Sequence, residues 1–203
     1  MSEMEADLFW RPEAMQVVRT QSPLMRQVLE KLKSVSPTRT TVLLLGDTGV
    51  GKGMIAKLIH QHSSRSEMPF VHLHCGAIPE TLVESELFGY EKGAFTGANK
   101  RKLGRFDKAQ GGTLFLDEIN TISPSTQIKL LQVLQERIFQ RVGGEQPIEA
   151  DVRIITASNA ELSSLCEEGS FRRDLFYRLS VFPIQLPSLQ QRSEDIPQIV
   201  ESL

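Results

Sequence analysis

The chain has 203 residues, of which 40% are apolar and 24% charged, with a formal net charge of −2. That length and composition suit a globular domain whose core needs no staples, and a near-neutral charge without a basic stripe offers no nucleic-acid-binding surface. Two cysteines, Cys75 and Cys166, make neither a disulfide framework nor a metal-ligand spacing; with no apolar run long enough to span a bilayer and no signal segment at the start, the expectation is a cytoplasmic protein without a membrane segment.

Residues 1–20 carry no period and are expected to be loosely attached, so the domain is taken as 21–203. Ser22-Pro23 suits an N-cap followed by a first helical residue. Behind it Leu24, Val28, Leu32 and Val35 recur at helical spacing, which predicts an amphipathic helix over 23–34. Thr41-Val42-Leu43-Leu44-Leu45 is an unbroken apolar run ending in glycine, the pattern of a strand buried on both faces of a parallel sheet. A helix over 54–62 follows, then strands at 70–73 and 113–116. Pro124 opens a helix in which Ile128, Leu131, Leu134 and Ile138 are predicted to share the buried face. A short hairpin turning at Gly143-Gly144 is expected between 139 and 151, followed by strands at 152–157 and 181–184. Strands alternating with helices predict a doubly wound α/β domain, its sheet mostly parallel with helices on both faces.

Gly46-Asp47-Thr48-Gly49-Val50-Gly51-Lys52 fits a phosphate-loop pattern and stands, as that chemistry needs, between a buried strand and a helix. Its glycines let backbone N–H groups converge on phosphate oxygens, and the following helix adds its positive end. Lys52 is expected to reach the β- and γ-phosphates of ATP. The next residue is Gly53, where a Ser or Thr hydroxyl would ordinarily help hold Mg²⁺, so Thr48 or water would have to take that part. Leu114-Phe115-Leu116-Asp117-Glu118 is an apolar strand ending in two carboxylates. Alone these would cap the next helix. Behind a phosphate loop they are assigned to hydrolysis: Asp117 holds Mg²⁺ mostly through water, and Glu118 orients the attacking water.

Between these segments stands Glu86-Leu87-Phe88-Gly89-Tyr90-Glu91-Lys92-Gly93-Ala94-Phe95-Thr96-Gly97-Ala98, whose last six residues read GAFTGA. The glycines permit a tight, mobile excursion; Phe95 either folds back into the core or awaits a partner that covers it. Other segments are Gly104-Arg105-Phe106, Arg141-Val142-Gly143-Gly144, Phe171-Arg172-Arg173-Asp174-Leu175-Phe176-Tyr177-Arg178-Leu179 and Leu186-Pro187-Ser188-Leu189. With them the chain resembles, from about Ser22 onward, the AAA+ ATPase core of bacterial sigma-54-dependent transcription activators, the enhancer-binding proteins. The resemblance implies a P-loop NTPase fold, ATP and Mg²⁺ as cofactors, the sigma-54 factor of RNA polymerase as partner, and a hexameric ring. It implies that Gly93, Ala94, Phe95, Thr96, Gly97 and Ala98 form the tip that touches sigma-54 and remodels the closed promoter complex. It further implies arginine fingers at Arg172 and Arg178 that reach a neighbour's γ-phosphate in trans, and a phosphate sensor at Ser158-Asn159. The alternative reading is a nucleotide-dependent sigma-factor-binding module with little ATPase activity.

The sequence departs from the family pattern at Leu73-His74-Cys75, where asparagine usually precedes the cysteine and holds the catalytic glutamate. His74 is expected either to pack at a strand end or to contact Glu118 as a switch that titrates near physiological pH. The family's helical lid and its helix-turn-helix DNA-binding domain would follow Leu203. The chain is therefore expected to lack both, to hydrolyse ATP weakly, and to be a monomer or weak oligomer.

Overall fold

Uninterrupted apolar runs make strands that must be covered on two sides, and the computed structural model covers them so. It describes residues 19–201; the expectation for the N-terminal segment lies mostly outside them. In chain order, α1 (Pro23–Val35) precedes β1 (Val42–Leu45), and the phosphate loop leads into α2 (Lys52–Gln61). β2 (Phe70–His74) and α3 (Glu80–Phe88) are followed by β3 (Gly89–Tyr90) and β4 (Lys102–Leu103), then α4 (Arg105–Lys108) and β5 (Thr113–Asp117). After α5 (Pro124–Glu136) come β6 (Ile138–Phe139), β7 (Ile148–Glu149), β8 (Arg153–Ser158), α6 (Leu162–Glu167), α7 (Arg173–Leu179), β9 (Phe182–Gln185) and α8 (Ile196–Glu201).

The main sheet has five strands in the order β2-β5-β8-β1-β9, and every neighbouring pair runs parallel. Successive strand residues point to opposite faces, and here they enter separate cores. Leu43, Leu73, Leu114, Leu116 and Ile154 pack with side chains of α3, α5 and α7. Val42, Leu44, Phe115, Ile155 and Ile184 pack with α1 and α2. The expected doubly wound sheet with helices on both faces is therefore observed. So is the hairpin: β6 and β7 pair antiparallel around Gly143, whose φ is +73°.

Two helices bury a different stripe from the one predicted. In α1 the inward residues are Met25, Val28, Leu29, Leu32 and Val35, and Leu24 is exposed. The extra apolar residues at 25 and 29 rotate the best-covered face away from Leu24. Ser22 stands at the N-cap, yet its hydroxyl caps nothing and is buried without a hydrogen-bond partner. Its N–H donates to Asp195 Oδ1 (3.3 Å) and Thr20 Oγ1 (3.1 Å), and the Asp195 carboxylate also accepts from Gln21 N–H (2.8 Å) and the Thr20 hydroxyl (2.6 Å). In α5 the buried stripe is Gln127, Leu130, Leu131 and Leu134; Ile128 is exposed and Ile138 has left the helix for β6. Gln127 earns its interior place by hydrogen bonds: its amide donates to Ile122 O (3.1 Å) and Ser170 O (3.0 Å) and accepts from Arg172 N–H (2.8 Å). A fully satisfied buried amide competes with an isoleucine for that face.

Candidate functional site

The phosphate loop joins the C-terminal end of β1 to α2. Gly46, Gly49 and Gly51 have φ of +148°, +86° and +98°, a backbone that side chains other than glycine rarely adopt. Lys52 is the first residue of α2 and is 7% exposed. Its ammonium donates to the carbonyls of Gly46 (2.7 Å) and Asp47 (2.8 Å), so it lies across the loop. Arg192, in the turn that follows β9, braces the loop by donating from Nη2 to Val50 O (2.9 Å). A Cβ at Gly53 would meet only Phe115, at 3.8 Å, so space does not dictate that glycine.

Asp117 ends β5, and Glu118 follows with φ +53°, a left-handed conformation that costs energy for a residue with a side chain. Asn159, just past β8, connects this corner to the loop: its amide donates to Thr48 Oγ1 (3.2 Å) and to Glu118 Oε1 (3.2 Å). Ser158, whose hydroxyl donates to Asn120 Oδ1 (3.1 Å) and Ala160 O (2.7 Å), anchors the strand end from which Asn159 projects. Thr48, Glu118 and Asn159, separated widely in sequence, thus meet in one constellation.

β2 lies beside β5, with His72 opposite Phe115 and His74 opposite Asp117. The two imidazoles stack 6.5 Å apart. His74 Nδ1 is 3.8 Å from Glu118 Oε2, and His72 Nε2 is 3.9 Å from Asp117 Oδ2, distances of electrostatic contact beyond hydrogen-bond reach. Burial holds His72 below the usual histidine range, against an opposing pull from Asp117. Glycine at 76 makes room for the glutamate: a Cβ there would stand 2.0 Å from Glu118 Oε2. Cys75 beneath is buried, and desolvation followed by the charges of Asp117 and Glu118 pushes its thiol up to about 12. It stays a thiol at neutral pH and offers no nucleophile. Among the described residues no group of three or more His, Cys, Asp or Glu could hold a metal by itself. Asp117, its side chain 18% exposed at the end of β5, is a hard oxygen donor of the kind that Mg²⁺ takes beside phosphate oxygens and water.

The remaining candidates lie elsewhere. Gly93–Ala98 forms the tip of the β3–β4 hairpin, closed by Gly93 N–H on Ala98 O (2.8 Å). Phe95 is 44% exposed and meets the Tyr90 ring edge-on at 4.9 Å, so it is neither folded into the core nor free of support. Gly143 lets the neighbouring turn press on this tip, since a Cβ there would fall 2.7 Å from Ala94 Cβ. Arg172 and Arg178 are exposed at the start and end of α7. Arg172 grips Asp174 with Nε (3.0 Å) and Nη2 (2.7 Å), and neither arginine bonds to Gly46–Gly53, Asp117 or Glu118 among the described residues. The site's less conspicuous members, Gly76, His72 and Asn120, carry no motif of their own, and Arg192, which opens the family-like segment 192–196, had no site role assigned from the sequence. Only the position of Gly76 and His72 two residues either side of His74 hinted at them.

The family model described as Sigma-54 interaction domain matches residues 18–185. The Nif-specific regulatory protein of Azotobacter vinelandii is 55% identical over 90% of this chain and 35% of its own length. The transcriptional regulatory protein ZraR of Escherichia coli K12 is 55% identical over 87% of this chain and 40% of its own. The chain thus spans little more than a third of the curated relatives it matches. A crystal structure of NtrX from Brucella abortus in complex with ATP superposes with a TM-score of 0.82 at 41% identity, covering 91% of this chain and 41% of that one.

Proposed function

The chain belongs to the Sigma-54 interaction domain family, and from that premise we propose that it binds and hydrolyses ATP to move the Gly93–Ala98 tip against the sigma-54 factor. The observation that carries this reading is the Asn159 amide, which touches Thr48 of the phosphate loop and Glu118 of the acidic corner at once. A group so placed senses whether the γ-phosphate is present and passes the difference to Glu118.

In the proposed reaction the N–H groups of Gly46–Gly51 and the Lys52 ammonium bind the β- and γ-phosphates, Lys52 giving up its two loop carbonyls to do so. Asp117 would hold Mg²⁺, which when bound neutralises charge on the phosphate oxygens. Glu118 takes the proton of the attacking water. His74 holds Glu118 back until nucleotide and partner are in place. Arg172 and Arg178 act on the γ-phosphate of a neighbouring subunit in a hexameric ring, and Arg172 must first leave Asp174. The domain runs over 21–203, and its setting is the cytoplasm; among the described residues no helix is long and apolar enough to cross a membrane.

The test is phosphate release measured against protein concentration. Turnover per chain is expected to rise with concentration, and a mixture of Glu118→Gln and Arg178→Ala chains, each inactive alone, is expected to recover activity at hybrid interfaces. Flat turnover and an inert mixture would instead favour a module that binds nucleotide and sigma factor with little hydrolysis. Thr96→Ala reports on the hairpin tip separately. It is expected to weaken sigma-54 binding by about tenfold or more, the effect of losing one interface anchor, while the Kd for ATP stays unchanged. Equal loss of both would make the tip a structural element.

A further inference from the structure

Positive charge also gathers at the edge of the sheet opposite the phosphate loop. The strands are parallel, so their first residues share that edge, and Arg153 opens β8 there beside the entry to β5. A cavity of about 210 Å³ lies at this edge, lined by Arg39, Arg65, Arg137 and Arg153 with Glu149 and Asp151. Four guanidiniums against two carboxylates leave two positive charges in excess.

The arginines differ in how their charge is met. Arg65 holds Asp151 through Nη2 and gives Nη1 to Gly112 O (3.0 Å) and Asp151 O (2.9 Å). Among the described residues Arg153 meets no carboxylate. It is 2% exposed, donates to Ser36 O (2.6 Å) and Val35 O (2.9 Å) at the C-terminal end of α1, and its Nε has no hydrogen-bond partner. Helix-end carbonyls compensate a cation only partly, and a buried charge without a counter-ion is costly. Desolvation, with the charge of Arg65 second, lowers the Arg153 pKa to about 10, so the group is still a cation at neutral pH. Arg137 ends α5 with φ +59°, a place that glycine fills without strain. An arginine there brings its guanidinium to Val152 O (3.5 Å) on the cavity wall. Of the cavity's arginines, Arg39 and Arg137 are exposed, whereas Arg153 is buried.

We propose that this cavity is a second oxyanion site, remote from the phosphate loop, that takes a free tetrahedral dianion of the phosphate type. A dianion cancels the excess charge, and guanidinium forks match its oxygens bidentately. The site would couple inorganic phosphate to the stability of the strand entries that Arg65 and Arg153 tie together.

The experiment is titration of inorganic phosphate into the full chain, followed by calorimetry and ³¹P line width, with chloride balancing ionic strength. Lys52→Ala removes the phosphate loop's own lysine and is expected to keep one phosphate site, which separates the cavity from the loop; the arginine variants are made in that background. The double variant Arg39→Gln/Arg137→Gln is expected to bind about tenfold more weakly or worse, as for the loss of a charge-assisted contact, with its circular dichroism unchanged. Should the double variant melt early in chloride, Arg39→Gln alone carries the same comparison, its side chain being exposed. Binding that vanishes in Lys52→Ala, that in the Lys52→Ala background survives loss of the arginines, or that is matched by chloride at equal ionic strength overturns the proposal.

Discussion

Replacing Glu118 by Gln is expected to leave ATP binding close to wild type and to cut hydrolysis by a factor on the order of 10²–10⁴, the usual contribution of a positioned general base. The substitution is nearly isosteric, and the Gln carbonyl can still accept the Asn159 amide that now reaches Glu118 Oε1 at 3.2 Å. What it removes is proton affinity. Of its neighbours, Asp117 is assigned to Mg²⁺ and the His72 imidazole faces Asp117, which leaves His74, 3.8 Å from Glu118 Oε2, as the one imidazole beside the vacated base. Steady-state phosphate release alongside a fluorescent-nucleotide Kd decides the matter. Hydrolysis that stays within about tenfold of wild type would move the base elsewhere and remove the catalytic reading of the β5 terminus.

Arg141→Ala is expected to lower stability by about 3 kcal/mol, the low end for breaking a buried ion pair from one side. Arg141 is 7% exposed and binds Glu91 Oε1 (3.2 Å) through Nη1 and Asp107 through Nη2. Asp107 is itself largely buried and would be left without a counter-charge, although it would keep the Gly104 N–H (2.9 Å). The penalty comes from that orphaned carboxylate, and the exposed Arg172–Asp174 pair would show no comparable loss. A second consequence follows from position. Glu91 sits at the base of the Gly93–Ala98 tip, with its N–H on Val142 O (3.1 Å), so the same change loosens the hairpin. Urea unfolding is the measurement: the midpoint falls while the slope stays constant. A loss below about 1 kcal/mol would place Arg141 with surface pairs.

The elements that could be read along the chain were those whose cause is local. A strand buried on both faces needs only consecutive apolar residues, and β1 and β5 have them. The phosphate loop needs glycines at positive φ and a lysine opening the next helix, all within Gly46–Lys52. The acidic pair at 117–118 acquires meaning from its place at the end of such a strand. Periodicity failed where two apolar stripes compete, as between Leu24 and Met25, or where a polar side chain holds an interior place through distant carbonyls, as Gln127 does.

The local sequence thus determined α1, α2, α5, the strands of the main sheet, the phosphate loop and the glycine-bounded Gly93–Ala98 segment, but it did not announce α3, α6 or α7. Tertiary structure alone decided who meets whom. His72 and His74 face the acidic corner because β2 pairs with β5 in one register, and a shift of one residue would turn both imidazoles to the other face. Asn159 reaches Thr48 because β8 lies between β5 and β1. Gly76 matters because Glu118 folds over it, and the arginines at 39, 65, 137 and 153 become one cavity because parallel strands bring all their entries to one edge. Such contacts depend on strand order and register, which arise when the whole chain buries its apolar faces together.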